Sequence, residues 1–353
     1  MSAAEAEVKP TIEEPNHQNG AAPTEPPATG EGTGLNKDSP LGQLASKLGE
    51  LIESTGYNEI YGVELSSWQE GTDLVIPQQV ILQKFLRANA GDVAKATEQL
   101  KAALKWRKEF GAPKTKDEVF DKARFDGLGY VTELKDMPGS PNKKDVAVFN
   151  IYGAVKDNKK TFGDLDGFIR WRVALMELTI ARLDIANAKT PLPDYGKGPD
   201  PYQAVQVHDY LSVSFLRQAP EVKAASSKTI QLFQQMYPET TAKKFFVNVP
   251  IFMQWMFAAM KMVMAKETVA KMQWTSYGNQ LYMDLGPSVP KAYGGSGPDL
   301  TAVAETPKYD MPTSLGAAEA TKTETPAAET QQPGAGPDMP FDAAAAAAAK
   351  PLS

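Results

Sequence analysis

The chain has 353 residues, 42% hydrophobic and 23% charged, with a formal charge of −6, which is enough for a full core and at most two domains. It has no cysteine, which excludes disulfides, thiolate metal sites and a cysteine nucleophile, and only two histidines, which excludes a histidine-rich metal site. No stretch reaches the roughly 18 to 20 apolar residues that cross a bilayer, and no basic-then-apolar leader marks secretion, so a cytoplasmic protein is expected.

In chain order, residues 1–38 are built from Ala, Glu, Pro, Gly and Thr, bury too little to offset chain entropy, and read as a disordered leader. Ser39 can cap and Pro40 can open a helix whose apolar stripe is Leu41, Leu44, Leu48, Leu51 and Ile52, ending at Gly56. A second helix is expected over "PQQVILQKFLRAN". Asp92 caps a third, "VAKATEQLKAALKWRKEF", which Gly111 stops. Residues 39–125 thus read as a helical N-terminal subdomain. From 126 to 300, strands and helices alternate. "LGYVTEL", "DVAVFNIYG", "QAVQVHDY", "KKFFVNVP" and "KMQWTS" are strands; "LDGFIRWRVALMELTIARLD" and "SSKTIQLFQQMY" are helices, the latter broken by Pro238. That alternation predicts the α/β class with a mixed β-sheet and flanking helices. Residues 301–353 return to the leader's composition and read as a disordered tail. The ends hide the charge of the body: residues 41–298 hold 28 acids and 32 bases, a net of +4. This suits an anionic membrane surface and is too weak to argue for nucleic acid.

Two segments invite a functional reading. Ile251–Ala265 is apolar nearly all round and carries Met253, Met256, Met260, Met262 and Met264 beside Trp255 and Phe257. A buried core helix would look like this, and so would a lid over a greasy cavity, since methionine repacks around variable ligands. In "VHDY", period-2 geometry puts His208 and Tyr210 on one face of a strand and Asp209 on the other. Two satisfied core groups, or an imidazole and a phenol meeting in a pocket, both fit. "GEGTG" at Gly30–Gly34 follows no strand and is not a dinucleotide loop, and "YGGSGPD" lacks the order of a nucleophile elbow. No acid–base pair beyond "HDY" is visible, so a non-enzyme is expected.

"KFLRAN", "DVAKATEQLKAALKWRKEFG", "MYPETTAKKFFVNVPIFM", "ETVAKM" and "VPKAYGG" occur in an order that resembles the CRAL-TRIO, or Sec-fourteen-like, lipid-transfer family over residues 40–300. With "GYNEIYG", "NIYG", "VHDY" and "FVNVP", the chain is most similar to the family's fungal non-classical phosphatidylinositol transfer branch. The resemblance implies a helical part followed by a lobe whose hydrophobic pocket is closed by a gate helix. That gate falls on Ile251–Lys266, with Met253, Met256, Phe257 and Met260 as its residues. It implies Glu239 and Lys271 as lipid headgroup residues: a carboxylate to accept from inositol hydroxyls and an ammonium to neutralise the phosphodiester. The family's third headgroup position, an arginine, falls on Asn89, with Ala90 beside it, so this sequence departs from the basic run there. The branch is also associated with ferric haem b bound through a tyrosine. The resemblance places Tyr210 as the iron ligand, His208 as its hydrogen-bonding support, and Asn89 near a third pocket position that is tyrosine elsewhere. A tyrosinate is a hard, anionic ligand that suits ferric iron. The expected function is therefore phosphatidylinositol binding and transfer between membranes, with haem in the same cavity; the alternative is chiefly a haem-binding protein for sensing or oxidative stress. Phospholipid, a membrane surface and lipid kinases are the implied partners. Peripheral association with the endoplasmic reticulum (microsomes) or the plasma membrane is the implied location.

Overall fold

The computed structural model describes residues 34–213, 219–253, 262 and 269–310. α1 (Pro40–Ser46) begins where expected: the Gly42 amide donates to Ser39 Oγ at 3.0 Å, and Pro40 occupies a position that needs no amide. The single helix expected to follow is broken at Lys47, whose amide turns back to the Leu44 and Ala45 carbonyls, before α2 (Leu48–Thr55) ends on left-handed Gly56. β1 (Glu59–Ile60) and β2 (Val63–Glu64) then form a hairpin around Tyr61 and Gly62, both at positive φ, as a two-residue turn of the twist-matched kind requires. Strands this short carry no readable period. α3 (Ile76–Ala88) and α4 (Val93–Phe110) follow, the latter capped by Asp92 and stopped by Gly111.

After β3 (Val119–Asp121) and α5 (Lys122–Phe125) come β4 (Gly129–Lys135) and β5 (Lys144–Ile151). α6 (Asn158–Phe162) and α7 (Leu165–Leu183) lead to β6 (Ala204–Asp209), and α8 (Pro220–Met236) to β7 (Thr241–Val247). β8 (Met272–Trp274) completes a five-stranded mixed sheet of order β4-β5-β6-β7-β8, antiparallel between β4 and β5 and parallel thereafter. β5 and β6 are buried along nearly their whole length, as strands covered on both faces are. On one face Phe149, Val207 and Phe245 pack against Leu281, Leu285 and Tyr293 of the C-terminal segment. On the other, Val148, Tyr210 and Phe246 pack with Phe168, Trp171 and Leu175 of α7 and with Met253. The helical subdomain has its own core, into which Met176 and Ile180 of α7 and Met236–Tyr237 reach.

The folded body runs past residue 300, where the tail was expected to begin. Leu300–Val303 is a helical turn, Glu305 exchanges two backbone hydrogen bonds of 2.8 Å with Val131, and β9 (Lys308–Asp310) pairs parallel with β3. The physical reason is the open edge: β3 and β4 would otherwise present unpaired backbone groups to water.

Candidate functional site

Glu239 follows the helix-breaking Pro238 between α8 and β7 and sits at positive φ. Its carbonyl accepts from Lys84 Nζ at 2.8 Å and Gln203 Nε2 at 3.2 Å. Its carboxylate accepts from Gln203 Nε2 at 3.0 Å and Lys271 Nζ at 3.1 and 3.3 Å. The structure thus brings the two expected headgroup residues together from opposite ends of a 32-residue separation. The Glu239 side chain is largely covered and that of Lys271 is 41% exposed. Lys84, on α3, is one residue that sequence reasoning missed. It is fully buried, and its ammonium also donates to Asp200 Oδ2 at 2.6 Å and the Tyr202 carbonyl at 2.8 Å. Burial pushes its pKa down, against the pull of Asp200. The available signal was a charge inside the apolar run "VILQKFL".

His208 and Tyr210 are both buried and share a sheet face, as the strand period required. The rings form a ladder. Tyr152 and His208 lie 5.8 Å apart at 17°, His208 and Phe246 5.1 Å apart at 16°, and Phe246 and Trp274 5.7 Å apart at 13°. Tyr210 packs 5.1 Å from Tyr152 and 6.4 Å from Phe246. Tyr152 Oη and His208 Nδ1 share a hydrogen bond of 3.0 Å. Beside the ladder lies a second unforeseen cation. Arg172 on α7 is buried, donates to Asn150 Oδ1 at 2.5 Å, and its guanidinium stands 5.4 Å from the Phe233 ring on α8. Asn150 is the β5 residue directly opposite His208.

Asp209 points the other way. It accepts from the Leu211 amide at 2.9 Å, Asn248 Nδ2 at 2.7 Å and Tyr293 Oη at 2.8 Å. Burial and this carboxylate push the Tyr293 phenol well up. Asn89 is engaged away from both clusters. Its amide donates to the Phe85 carbonyl at 2.9 Å and Gln99 Oε1 at 2.6 Å, and neither bond reaches Glu239, Lys271, His208 or Tyr210. Of the expected gate, Met253 is described and is buried in the core cluster that includes α7 residues, whereas Met256, Phe257 and Met260 lie outside the described residues. Among the described residues no group of three or more His, Asp or Glu side chains could hold a metal ion, and no helix is long and apolar enough to cross a membrane.

Residues 141–295 match the CRAL/TRIO domain. The chain is 54% identical over 268 residues to a phosphatidylinositol transfer protein SFH5 of Phaeosphaeria nodorum, covering 76% of this chain and 80% of that one. It is 46% identical over 272 residues to the protein of that name from Cryptococcus neoformans var. neoformans serotype D, covering 75% and 89%. Against the Sclerotinia sclerotiorum protein, 47% identical, it covers 76% of itself and 64% of the relative, just under two thirds of that longer chain. Among solved structures it is similar to the crystal structure of Sfh5, with a TM-score of 0.62, 25% identity, and coverage of 78% of this chain and 95% of that one.

Proposed function

The chain belongs to the CRAL-TRIO family, on its Sfh5 branch, and from that premise we propose that it binds one phosphatidylinositol and carries it between membranes, or offers it to a lipid kinase, without catalysing a reaction. The Glu239–Lys271 pair carries this reading. Two opposite charges on adjoining elements, one of them partly in water, match an inositol phosphate at both of its chemistries: hydroxyl donors for the carboxylate and a phosphodiester for the ammonium. A partly exposed ion pair contributes only about 0–1 kcal/mol, so a headgroup that inserts between the two and satisfies each separately displaces little. Glu239 keeps its place meanwhile, because Lys84 and Gln203 grip its carbonyl from behind. With Asn89 bonded to Gln99, no charge comes from the third family position. Phosphatidylinositol recovered by mass spectrometry from the purified protein, and vesicle-to-vesicle transfer lowered at least about tenfold by Glu239→Gln or Lys271→Ala, are the expected results. Protein that carries no phospholipid and transfers none would defeat the reading.

A second reading, haem held in the same lobe, is favoured by the ring ladder. The residues that would serve it are the buried Tyr210 phenol, to hold ferric iron, the His208 imidazole on the same sheet face, and the buried Arg172 guanidinium, to offset anionic charge. Haem would supply iron for sensing or storage. In that role these residues would hold the group and shield it from water. A visible absorption scan of protein expressed with ample haem should show a Soret band that shifts or disappears in Tyr210→Phe. No band, or one indifferent to that substitution, removes haem from the account.

A further inference from the structure

We infer that the carboxyl edge of the sheet is a docking surface for an anionic bilayer, in an inference that rests on the proposed lipid-transfer function. In a parallel sheet the loops leaving the strand ends gather on one edge. Here the residues just past the ends of β6, β7 and β8 put large side chains into water: Leu211 is 62% exposed, Ile251 59% and Tyr277 56%. These loops are tied together. Asn248, just before Ile251, donates to Asp209, just before Leu211, and its Oδ1 accepts from the Gly278 amide, next to Tyr277. Soluble proteins expose single apolar residues freely; three at the ends of consecutive strands that are hydrogen-bonded to one another are read as one surface. Leucine and isoleucine enter the acyl region, and tyrosine is the aromatic that settles where hydrocarbon meets water.

The charge beside the patch selects the partner. After β5 the chain turns at Gly153, which lies so close to the Leu211 carbonyl that a Cβ there would come within 1.7 Å of it. It then presents exposed Lys156, Lys159 and Lys160 on and before α6. The one acid between them, Asp157, is used as the helix cap, accepting from the Lys160 amide at 2.9 Å. Lysines flanking exposed apolar residues complement a leaflet rich in anionic headgroups.

The test is flotation of the full chain with phosphatidylcholine vesicles, with and without phosphatidylserine. Wild-type protein should float with the anionic vesicles, less so as salt rises. The triple variant K156E/K159E/K160E should lose roughly a hundredfold in partition at low salt. L211S/I251S/Y277S should remove the salt-resistant remainder, while K95E/K101E/K105E, the same charge change on α4, should leave binding unchanged. An α4 variant as impaired as the edge variant would reduce the effect to bulk charge and overturn the assignment. So would an edge variant that binds like wild type, or a solution dimer dissolved by the apolar triple, which would give this edge to a second copy. Phospholipid content is measured on the same preparations. A chain that docks but carries no phospholipid refutes lipid transfer alone, and one that carries phospholipid but ignores the edge substitutions refutes the docking surface alone.

Discussion

Lys84 spends its three ammonium protons on partners from three separate positions: the Asp200 carboxylate and the carbonyls of Tyr202 and Glu239. Neither side chain of the Lys84–Asp200 pair touches water. Removing one member of such a pair strands the other, at a cost of about 3–5 kcal/mol, whereas replacing both with apolar groups costs far less. Lys84→Met should therefore lower the urea midpoint sharply, and Lys84→Met with Asp200→Leu should recover much of it. Single and double variants of equal stability would show that the pair does not behave as a buried ion pair. The same contacts explain what was legible in the site and what was not. The shared face of His208 and Tyr210 follows from the strand period alone. Glu239 and Lys271 were reachable through resemblance. Lys84 and Arg172 were not, because a helical pattern assigns a charge to solvent by default. Their partners Asp200 and Asn150 lie 116 and 22 residues away, so only the folded chain shows that they are paired.

Among the elements, the best anticipated were those announced by local chemistry. Ser39 and Asp92 cap, Gly56 and Gly111 stop, and the long α7 appears over the run expected for it. The β1–β2 hairpin and β9 were unreadable, since their two or three residues acquire meaning only from a partner strand. α7 also shows how a cap sets a pH dependence. Asp164 accepts the Gly167 amide at 3.0 Å and an Arg124 hydrogen bond at 2.9 Å, and these hold its carboxyl below the ordinary value of 3.8. A depressed aspartate favours the fold when ionised. Its contribution is complete above that ordinary value and fades as pH falls through the lower, folded one. Asp164→Ala should cost about 1 kcal/mol at neutral pH, and less in acid, where the wild-type carboxyl is already protonated. A deficit that stayed constant from neutral pH down to pH about 2 would show that the charge of the cap is irrelevant.

For the whole molecule, the question is whether the helical subdomain and the sheet lobe unfold together. The composition of their cores says that they do, because α7 contributes Trp171 and Leu175 to one and Met176 and Ile180 to the other. Arg107 fastens the joint. It is fully buried, donates to Glu59 of the hairpin at 3.0 and 2.8 Å and to Glu177 of α7 at 2.7 and 3.2 Å, and lies 5.6 and 5.9 Å from the Tyr61 and Tyr237 rings. Burial alone would lower its pKa, yet Glu177 and Glu59 hold it well above the ordinary value, so it stays a cation wherever the protein is folded. Tyr237, which donates to Glu177 at 2.5 Å, lies two residues before Glu239, so the joint and the Glu239–Lys271 pair share a backbone. Arg107→Met leaves Glu177 buried without its cation and should cost about 3–5 kcal/mol. Because both cores meet on α7, the loss should appear as one transition moved to lower temperature, the same by circular dichroism as by tryptophan fluorescence. Two separated transitions in the variant would mean that the lobes fold independently and that Arg107 only pins one against the other.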